Sequence, residues 1–570
     1  MIGTEANVLD RILAERAARL KVAGATFGSR LPSLRSAPLV PLASPAPSGV
    51  APGAGEHAPF QPAAQAHGPA LFEIKRRSPS RGVIAEGLNA VEQAERYHRG
   101  GARAFSVLTE SEWFGGSLED LIAVKERFPD CAVLRKDFLQ LPEELEVSFR
   151  AGADAVLLIA AALAREDIAA MLEQAAALGL AALVELHDRA DLEKVAPLKP
   201  TLVGINSRDL RSFKVDKLTP PALAAEISWN CRLVFESGIG GYEDAYFAGC
   251  SGFHGVLVGE SAMRNPERVP EILAGLEDAY GVARARGRSR VSACRGNPRF
   301  WGELASRRAA LQMGRARPLV KICGLTTAAD ARLAAECGAD LLGFVFADSP
   351  RRAEAALLEE IADLRCLKVA VVQADDARCS HQGSAHRRSG ARHGRHPDGS
   401  TDARAAASPD TDTDTRADTR ADTGRAELQP EVARLLERGL LDAVQFHGGE
   451  QPADCLALAY PYYKAVRVRD ARDLELACEY RSPRVLIDAF DPERAGGTGK
   501  RINPELVRRA AERGALWLAG GLTPENIGAI VAEYRPELVD VSSGIEGAAG
   551  RKDPDKLKRY MEEIADVCTV

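Results

Sequence analysis

Residues 132–159 read AVLRKDFLQLPEELEVSFRAGADAVLLI. Two short runs rich in Val, Leu and Ile flank a segment with helical spacing, the pattern of a strand, a crossover helix and a second strand. Such a crossover forces its strands parallel, and parallel strands covered on both faces are near-continuously apolar. The alternation extends both ways: LFEIK and AFSVLT precede it, and ALVEL, LVGIN, LVFES and GVLVG follow, eight strands between Leu71 and Gly259. Eight such units in about 200 residues match a closed (β/α)8 barrel. An open doubly wound sheet is the alternative, and the lack of a Gly-x-Gly-x-x-Gly turn after the first strand weakens its dinucleotide-binding form. A second series begins at Leu319 with LVKIC, LLGFVF, LKVAVV, AVQFH, YKAVRV, RVLID, LWLAG and LVDVS, again eight. The expected fold is α/β, two consecutive TIM barrels.

A chain of 570 residues exceeds what one core accommodates. The expected order is a helical N-terminal extension (1–34), a flexible Ala/Pro-rich insertion (35–68), the first barrel (69–274), an Arg- and Ala-rich linker (275–317) and the second barrel (318–570). Residues 374–427 carry RRSGARHGRH and TDTDTRADTRADT, low-complexity polar sequence too long for a βα connection and expected to be disordered. Four of the ten histidines lie there, but no cysteine partners accompany them, so disorder is preferred to a metal-binding tract. By register the insertion follows the third strand of the second barrel, on the face where loops leave strand C-termini.

The net charge of -6 offers no electrostatic reason for a nucleic-acid or anionic-membrane partner. The 11 scattered cysteines form no Cys-x-x-Cys pair, and the odd count argues against a full set of internal disulfides. The opening MIGTEANVLDRILAERAARL reads as an amphipathic helix without the apolar core of a signal peptide, and apolar runs such as AVLLIAAALA fall short of the ~20 residues a span needs. A cytoplasmic address is expected.

In FEIKRRSPS, Glu73 and Lys75 are two apart on a strand and project to one face, toward the barrel mouth if Phe72 and Ile74 face the helices. A buried ion pair explains these two equally well. However, Lys136, Glu185, Asn206 with Arg208, and Glu236 with Ser237 also end strands, and polar groups at several strand C-termini are how this architecture builds a site. Ser237-Gly238 and Gly259-Glu260 end the last two strands, where glycines let backbone N–H groups approach a phosphate; Glu260 itself is expected to point away. Through EIKRRSPSRG, LRKDF, VELHD, GINSRDL, FESGI and LVGESAMR the region resembles indole-3-glycerol phosphate synthase. The resemblance implies ring closure of carboxyphenylamino-deoxyribulose 5-phosphate with loss of CO2 and water, and no metal or organic cofactor. It implies a catalytic set of Glu73, Lys75, Lys136, Glu185 and Asn206, with Lys136 the general acid and the dehydration roles divided among Glu73, Lys75 and Glu185. Ser78, Phe138, Arg208, Glu236, Ser237, Gly238, Gly259 and Glu260 would contact or border the substrate.

In the second series Cys323 ends the first strand in VKICGLT, His447 the fourth and Asp488 the sixth, while Arg351 follows FVFADSP. A lone cysteine is usually a small core residue, but here a thiol and a carboxyl group face one mouth and can act as base and acid. Gly497 and Gly499 in AGGTGK, Gly520 and Gly521 in LAGGLTPEN, and Ser543 and Gly544 in VSSGIE supply phosphate-site candidates. Together these motifs resemble phosphoribosylanthranilate isomerase, with Phe446 where the family's Leu is expected and a long insertion in place of a short turn. The resemblance implies an Amadori rearrangement in which Asp488 opens the ribose ring, Cys323 as thiolate removes the C2 proton and Arg351 contacts the anthranilate carboxylate. The site is expected to depress the thiol pKa.

The expected partners are sugar phosphates carrying an anthranilate group. A phosphate-binding scaffold that has lost chemistry in one barrel, or another sugar-phosphate barrel, would share the terminal glycines but not EIKRRSPS or KICGLT.

Overall fold

A computed structural model of the chain describes residues 8–42, 70–79, 82–85, 87–209, 214–285, 297–313, 317–373, 428–455, 460–480, 482–489 and 503–568. It contains two closed eight-stranded parallel barrels. The first comprises β1 (Ala70–Ile74), β2 (Ala104–Leu108), β3 (Ala132–Lys136), β4 (Ala155–Ile159), β5 (Ala181–Leu186), β6 (Leu202–Asn206), β7 (Arg232–Glu236) and β8 (Gly255–Val258). The second comprises β9 (Leu319–Cys323), β10 (Leu341–Val345), β11 (Leu367–Val372), β12 (Ala443–Phe446), β13 (Tyr462–Val468), β14 (Val485–Ala489), β15 (Trp517–Ala519) and β16 (Leu538–Val541). Each lies within one residue of its place in the sequence pattern. Closure comes from β1 pairing with both β2 and β8, and β9 with both β10 and β16.

The period of two along each strand sorts the side chains. In the first barrel Phe72, Ile74, Phe105 and Val133 pack outward with the helices, whereas Leu71, Leu134, Leu157 and Leu257 fill the lumen. The lumen cluster also takes in Leu9 and Ile12 of helix α1 (Val8–Ala23) and Leu42. This corrects the reading of residues 35–68 as uniformly flexible. Arg35 ion-pairs with Asp154 at 2.6 Å, the Val40 N–H donates to the same carboxylate at 2.9 Å, and Leu42 is buried. Composition concealed this because one Arg and one Leu do the anchoring. Residues 43–68 and the 374–427 insertion lie outside the described residues.

Helix α2 (Thr219–Glu226) follows β6, and α3 (Val269–Ala285) continues the first barrel beyond residue 274, with Leu276 in its core. The linker proper therefore begins later than composition suggested. Its helix α4 (Asn297–Met313) buries Phe300, Trp301, Leu304 and Ala305 in one cluster with Leu218 and Ala222 of the first barrel and with Leu319, Leu341 and Trp517 at strand starts of the second. Trp301 lies 6.0 Å from Trp517, and Phe300 stacks on Tyr463 at 6.4 Å. Charges ring this apolar contact. Arg484 binds Asp216 at 2.8 Å and Glu537 at 2.8 Å, and Arg308 binds the same two carboxylates at 2.6 and 3.0 Å. The second barrel thus docks by the N-terminal face of its strands, and its mouth opens at the far end. Among the described residues no helix is long and apolar enough to cross a membrane.

Candidate active sites

Every residue assigned from sequence to the first site lines one cavity of about 1120 Å3 at the C-terminal ends of β1–β8. At its centre the Lys136 ammonium sits 3.2 Å from Glu185 and 3.3 Å from Glu236. The Asn206 amide donates to the other Glu185 oxygen at 3.0 Å, and Lys75 pairs with Glu73 at 2.5 Å. Room for this cluster comes from missing side chains. A Cβ on Gly204 would lie 2.0 Å from a Glu236 oxygen, and one on Gly259 would lie 2.7 Å from Glu73. Gly259, read from sequence as a phosphate neighbour, therefore also makes space for the Glu73–Lys75 pair. Ser237 adopts φ 65 and Gly238 φ 74, a left-handed turn directly after β7, and Glu260 pairs with Arg264 at 3.1 Å.

These contacts set the charge states. Burial works against a charged Lys136, but Glu185, Glu236 and Glu73 outweigh it and hold the ammonium above its ordinary range. Burial also opposes ionisation of Glu185, yet Lys136 and His187 keep that carboxyl well below the usual carboxylate range. Glu236 goes the other way: burial, then the charge of Glu185, push it up to about 8 against the pull of Lys136. One ammonium thus stands between two carboxyl groups whose proton affinities are pushed apart, Glu185 toward the ionised form and Glu236 toward the protonated one. Glu73 is lowered, burial being overcome by Lys75 and Lys136.

Two contributors were not singled out in the sequence. His187 lies 2.9 Å from Glu185 and 3.6 Å from Asp191; burial opposes its charge, but those two carboxylates push it up to about 10. Its position two residues beyond Glu185 was the available signal, since i and i+2 share a face. Helix α1 supplies the other. Leu9 and Ile12 line the cavity, and the fully buried Arg16 binds Asp137 at 2.8 Å and Glu144 at 2.5 Å, bracing the residue next to Lys136. An arginine at helical spacing from Leu9, Ile12 and Leu20 was the visible sign.

In the second barrel Cys323 ends β9, buried, beside Lys321 on the same inward face. Lys321 binds Asp540 at 2.6 Å and donates to Gln445 at 2.8 Å. Gln445 also accepts from Tyr463 at 2.9 Å and meets His447 at 3.2 Å, and His447 meets Asp488 at 2.9 Å. The expectation of a depressed thiol is corrected here: burial raises the Cys323 pKa, while Lys321 and Lys552 pull against it. Arg351 grips Glu546 through two nitrogens at 3.0 and 2.8 Å, and Lys552 holds the same carboxylate at 3.0 Å. Phe446 is buried against Tyr462, 5.9 Å between ring centres.

Gly520 and Gly521 turn at the end of β15, and Ser543 to Ile545 form a short turn after β16. The two loops interlock closely enough that a Cβ on Gly544 would lie 1.8 Å from the Leu522 carbonyl. Asn526 fixes the first of them by donating to the Gly521 carbonyl at 2.8 Å and accepting from the Thr523 N–H at 3.0 Å. Gly497 and Gly499 lie outside the described residues.

Comparison with known proteins matches residues 61–273 to the family model described as indole-3-glycerol phosphate synthase and residues 425–563 to that described as N-(5'-phosphoribosyl)anthranilate isomerase. The indole-3-glycerol phosphate synthase of Opitutus terrae is 43% identical over 203 residues, covering 35% of this chain and 76% of its own. Proteins named multifunctional tryptophan biosynthesis protein match over most of this chain. That of Phanerodontia chrysosporium is 30% identical, covering 98% of this chain and 69% of its own; that of Schizosaccharomyces pombe is 30% identical over 88% of this chain. The chain spans only 60% of the length of the latter relative. With its two barrels in this order, the chain belongs to the multifunctional tryptophan biosynthesis proteins, an indole-3-glycerol phosphate synthase domain preceding a phosphoribosylanthranilate isomerase domain.

Proposed function

We propose that the chain catalyses two consecutive steps. The second barrel converts N-(5-phosphoribosyl)anthranilate to 1-(2-carboxyphenylamino)-1-deoxyribulose 5-phosphate, and the first barrel closes that product to indole-3-glycerol phosphate. The observation that carries this reading is Lys136 between Glu185 and Glu236 in a mouth of about 1120 Å3.

In the first barrel, attack of the aromatic carbon on the ketone builds charge on the carbonyl oxygen, and Lys136 donates the proton that relieves it. Loss of CO2 leaves a ring bearing a hydroxyl group. Dehydration then needs a base for the ring proton and an acid for the departing hydroxide. Glu185, held ionised, suits the base. Glu73 with Lys75 lies on the adjacent wall and suits the leaving hydroxyl group, while Asn206 and Arg208 orient the substrate. Ser78, Ser237, Gly238 and Gly259 border its phosphate.

In the second barrel Asp488 protonates the ribose ring oxygen, the C1–O bond breaks and the nitrogen lone pair forms a Schiff base. Cys323 as thiolate then takes the C2 proton, and the enolamine becomes the aminoketose. Arg351, already oriented by Glu546, receives the anthranilate carboxylate. The loops at Gly520–Gly521 and Ser543–Gly544 take the phosphate.

Supplying phosphoribosylanthranilate to the purified chain and following both the aminoketose and indole-3-glycerol phosphate tests the reading. Both products are expected in sequence. Tight binding with neither product would replace it with a phosphate-ligand scaffold.

A further inference from the structure

Resting on the isomerase reading of the second site, we propose that Gln445 is a positioning residue: it holds His447 as the Nε2–H tautomer and so places the acidic proton of Asp488 on Oδ1, the oxygen His447 does not hold. The Lys321 ammonium can only donate. The Gln445 atom facing it at 2.8 Å is therefore the amide oxygen, and the Tyr463 hydroxyl, 2.9 Å from that same oxygen, donates as well. The amide nitrogen is thereby turned toward His447 Nδ1 at 3.2 Å. An amide nitrogen offers only hydrogens, so Nδ1 must present its lone pair, and the ring hydrogen resides on Nε2. Nε2 lies 2.9 Å from Asp488 Oδ2, which must accept. When Asp488 carries the proton it delivers as acid, the hydrogen bond accepted at Oδ2 favours that hydrogen on Oδ1.

The clamp has little freedom. Gln445 and Lys321 are buried, Tyr463 is fully buried, and Lys321 is tied on its other side to Asp540 at 2.6 Å. Reversing the Gln445 amide would bring two groups of donors face to face at Lys321, a buried unsatisfied arrangement costing about 1–3 kcal/mol for each group left unpaired. The opposite histidine tautomer would change the chemistry at Asp488. A bare Nε2 would bind the Asp488 proton on Oδ2, and the acid would be engaged by the imidazole instead of the ribose ring oxygen. Gln445 thus acts through His447 to keep the acid available, without touching substrate.

NMR of the histidine ring nitrogens in the full chain tests this, with the His447 signals assigned by their loss in His447→Gln. The wild type is expected to carry hydrogen on Nε2 alone. Gln445→Glu retains the oxygen that accepts from Lys321 and Tyr463 but turns the donor facing Nδ1 into an acceptor. It should move the hydrogen to Nδ1 and lower isomerase kcat by about a hundredfold, the low end of general-acid contributions, with KM little changed and cyclisation of supplied aminoketose unaffected. A wild-type hydrogen on Nδ1, or a Gln445→Glu enzyme with normal kcat, would overturn the proposal. If the variant does not fold, the wild-type tautomer still decides. If the wild type turns over no phosphoribosylanthranilate, the isomerase reading fails while the tautomer measurement stands.

Discussion

The two barrel mouths dispose of their charges in opposite ways. In the first, Lys136 is shared by Glu185 and Glu236, Glu185 is shared with Asn206 and His187, and Glu73 lies close enough to be shifted by both lysines. In the second, the ion pairs are discrete, Lys321 with Asp540 and Arg351 and Lys552 with Glu546; Lys321 and Lys552 act on the Cys323 thiol, and Asp488 is reached from Lys321 through Gln445 and His447. A continuous cluster splits its members' proton affinities, because each charge added is felt by every neighbour in a poorly screened interior. Discrete pairs let the base and the acid be tuned by different means, the thiol by burial against two lysines and the carboxyl group by a hydrogen-bond chain. The first arrangement suits a reaction with several proton transfers at adjacent atoms, the second a reaction with one transfer at each of two positions.

Lys136→Ala attacks the cluster at its hub. Cyclisation of supplied aminoketose should fall by at least about a hundredfold, since a general acid contributes that much or more. Isomerisation, measured by aminoketose formation, should be unchanged; a loss in both would mean that the mouths are coupled. Cys323→Ser comes next. It should lower isomerisation by about a hundredfold and leave cyclisation intact, and retention of isomerase activity would remove the thiol as base.

A pH profile separates the two designs more finely. Glu236, pushed up to about 8, carries a proton below that pH and becomes a second anion beside Glu185 above it. That second anion next to Glu185 competes for the Lys136 proton, so kcat/KM for cyclisation should fall as pH rises past about 8, by up to about tenfold per pH unit. Gln in place of Glu236 should flatten that limb. For isomerisation the sign is reversed: burial raises the Cys323 thiol, so kcat/KM should climb with pH through the neutral range as thiolate forms. The smallest effect is expected from Arg351→Lys, which keeps the charge but loses the two-nitrogen grip on Glu546. A KM increase of about fivefold, roughly 1 kcal/mol, with kcat unchanged would fit a residue that binds without reacting.

Much of this was legible in the residues. Strand positions follow from a local alternation of apolar runs and helical spacing, and polar or thiol side chains at or next to strand C-termini stand out against it, so Lys136, Glu185, Asn206, Cys323 and Asp488 are visible as site candidates in the order of residues. Arg16 and His187 were harder, because their importance comes from partners far along the chain or from burial that no single segment reveals. The anchoring of residues 35–42 was missed for a related reason: one buried leucine and one arginine paired with Asp154 are invisible in a composition dominated by Ala, Pro and Ser.

The amino-acid sequence by itself determined the two barrels, the order of their strands and which side chains stand at the strand ends, because these depend on periodicity and on contacts a few residues apart. Only the tertiary structure decided that Glu236 is pushed toward its protonated form and Glu185 toward its ionised one, that burial raises the Cys323 thiol, and that the second barrel docks by the face opposite its mouth. Those properties arise from through-space distances between strands that are not neighbours in sequence and from the low dielectric of the barrel interior, neither of which is written in any local stretch of residues.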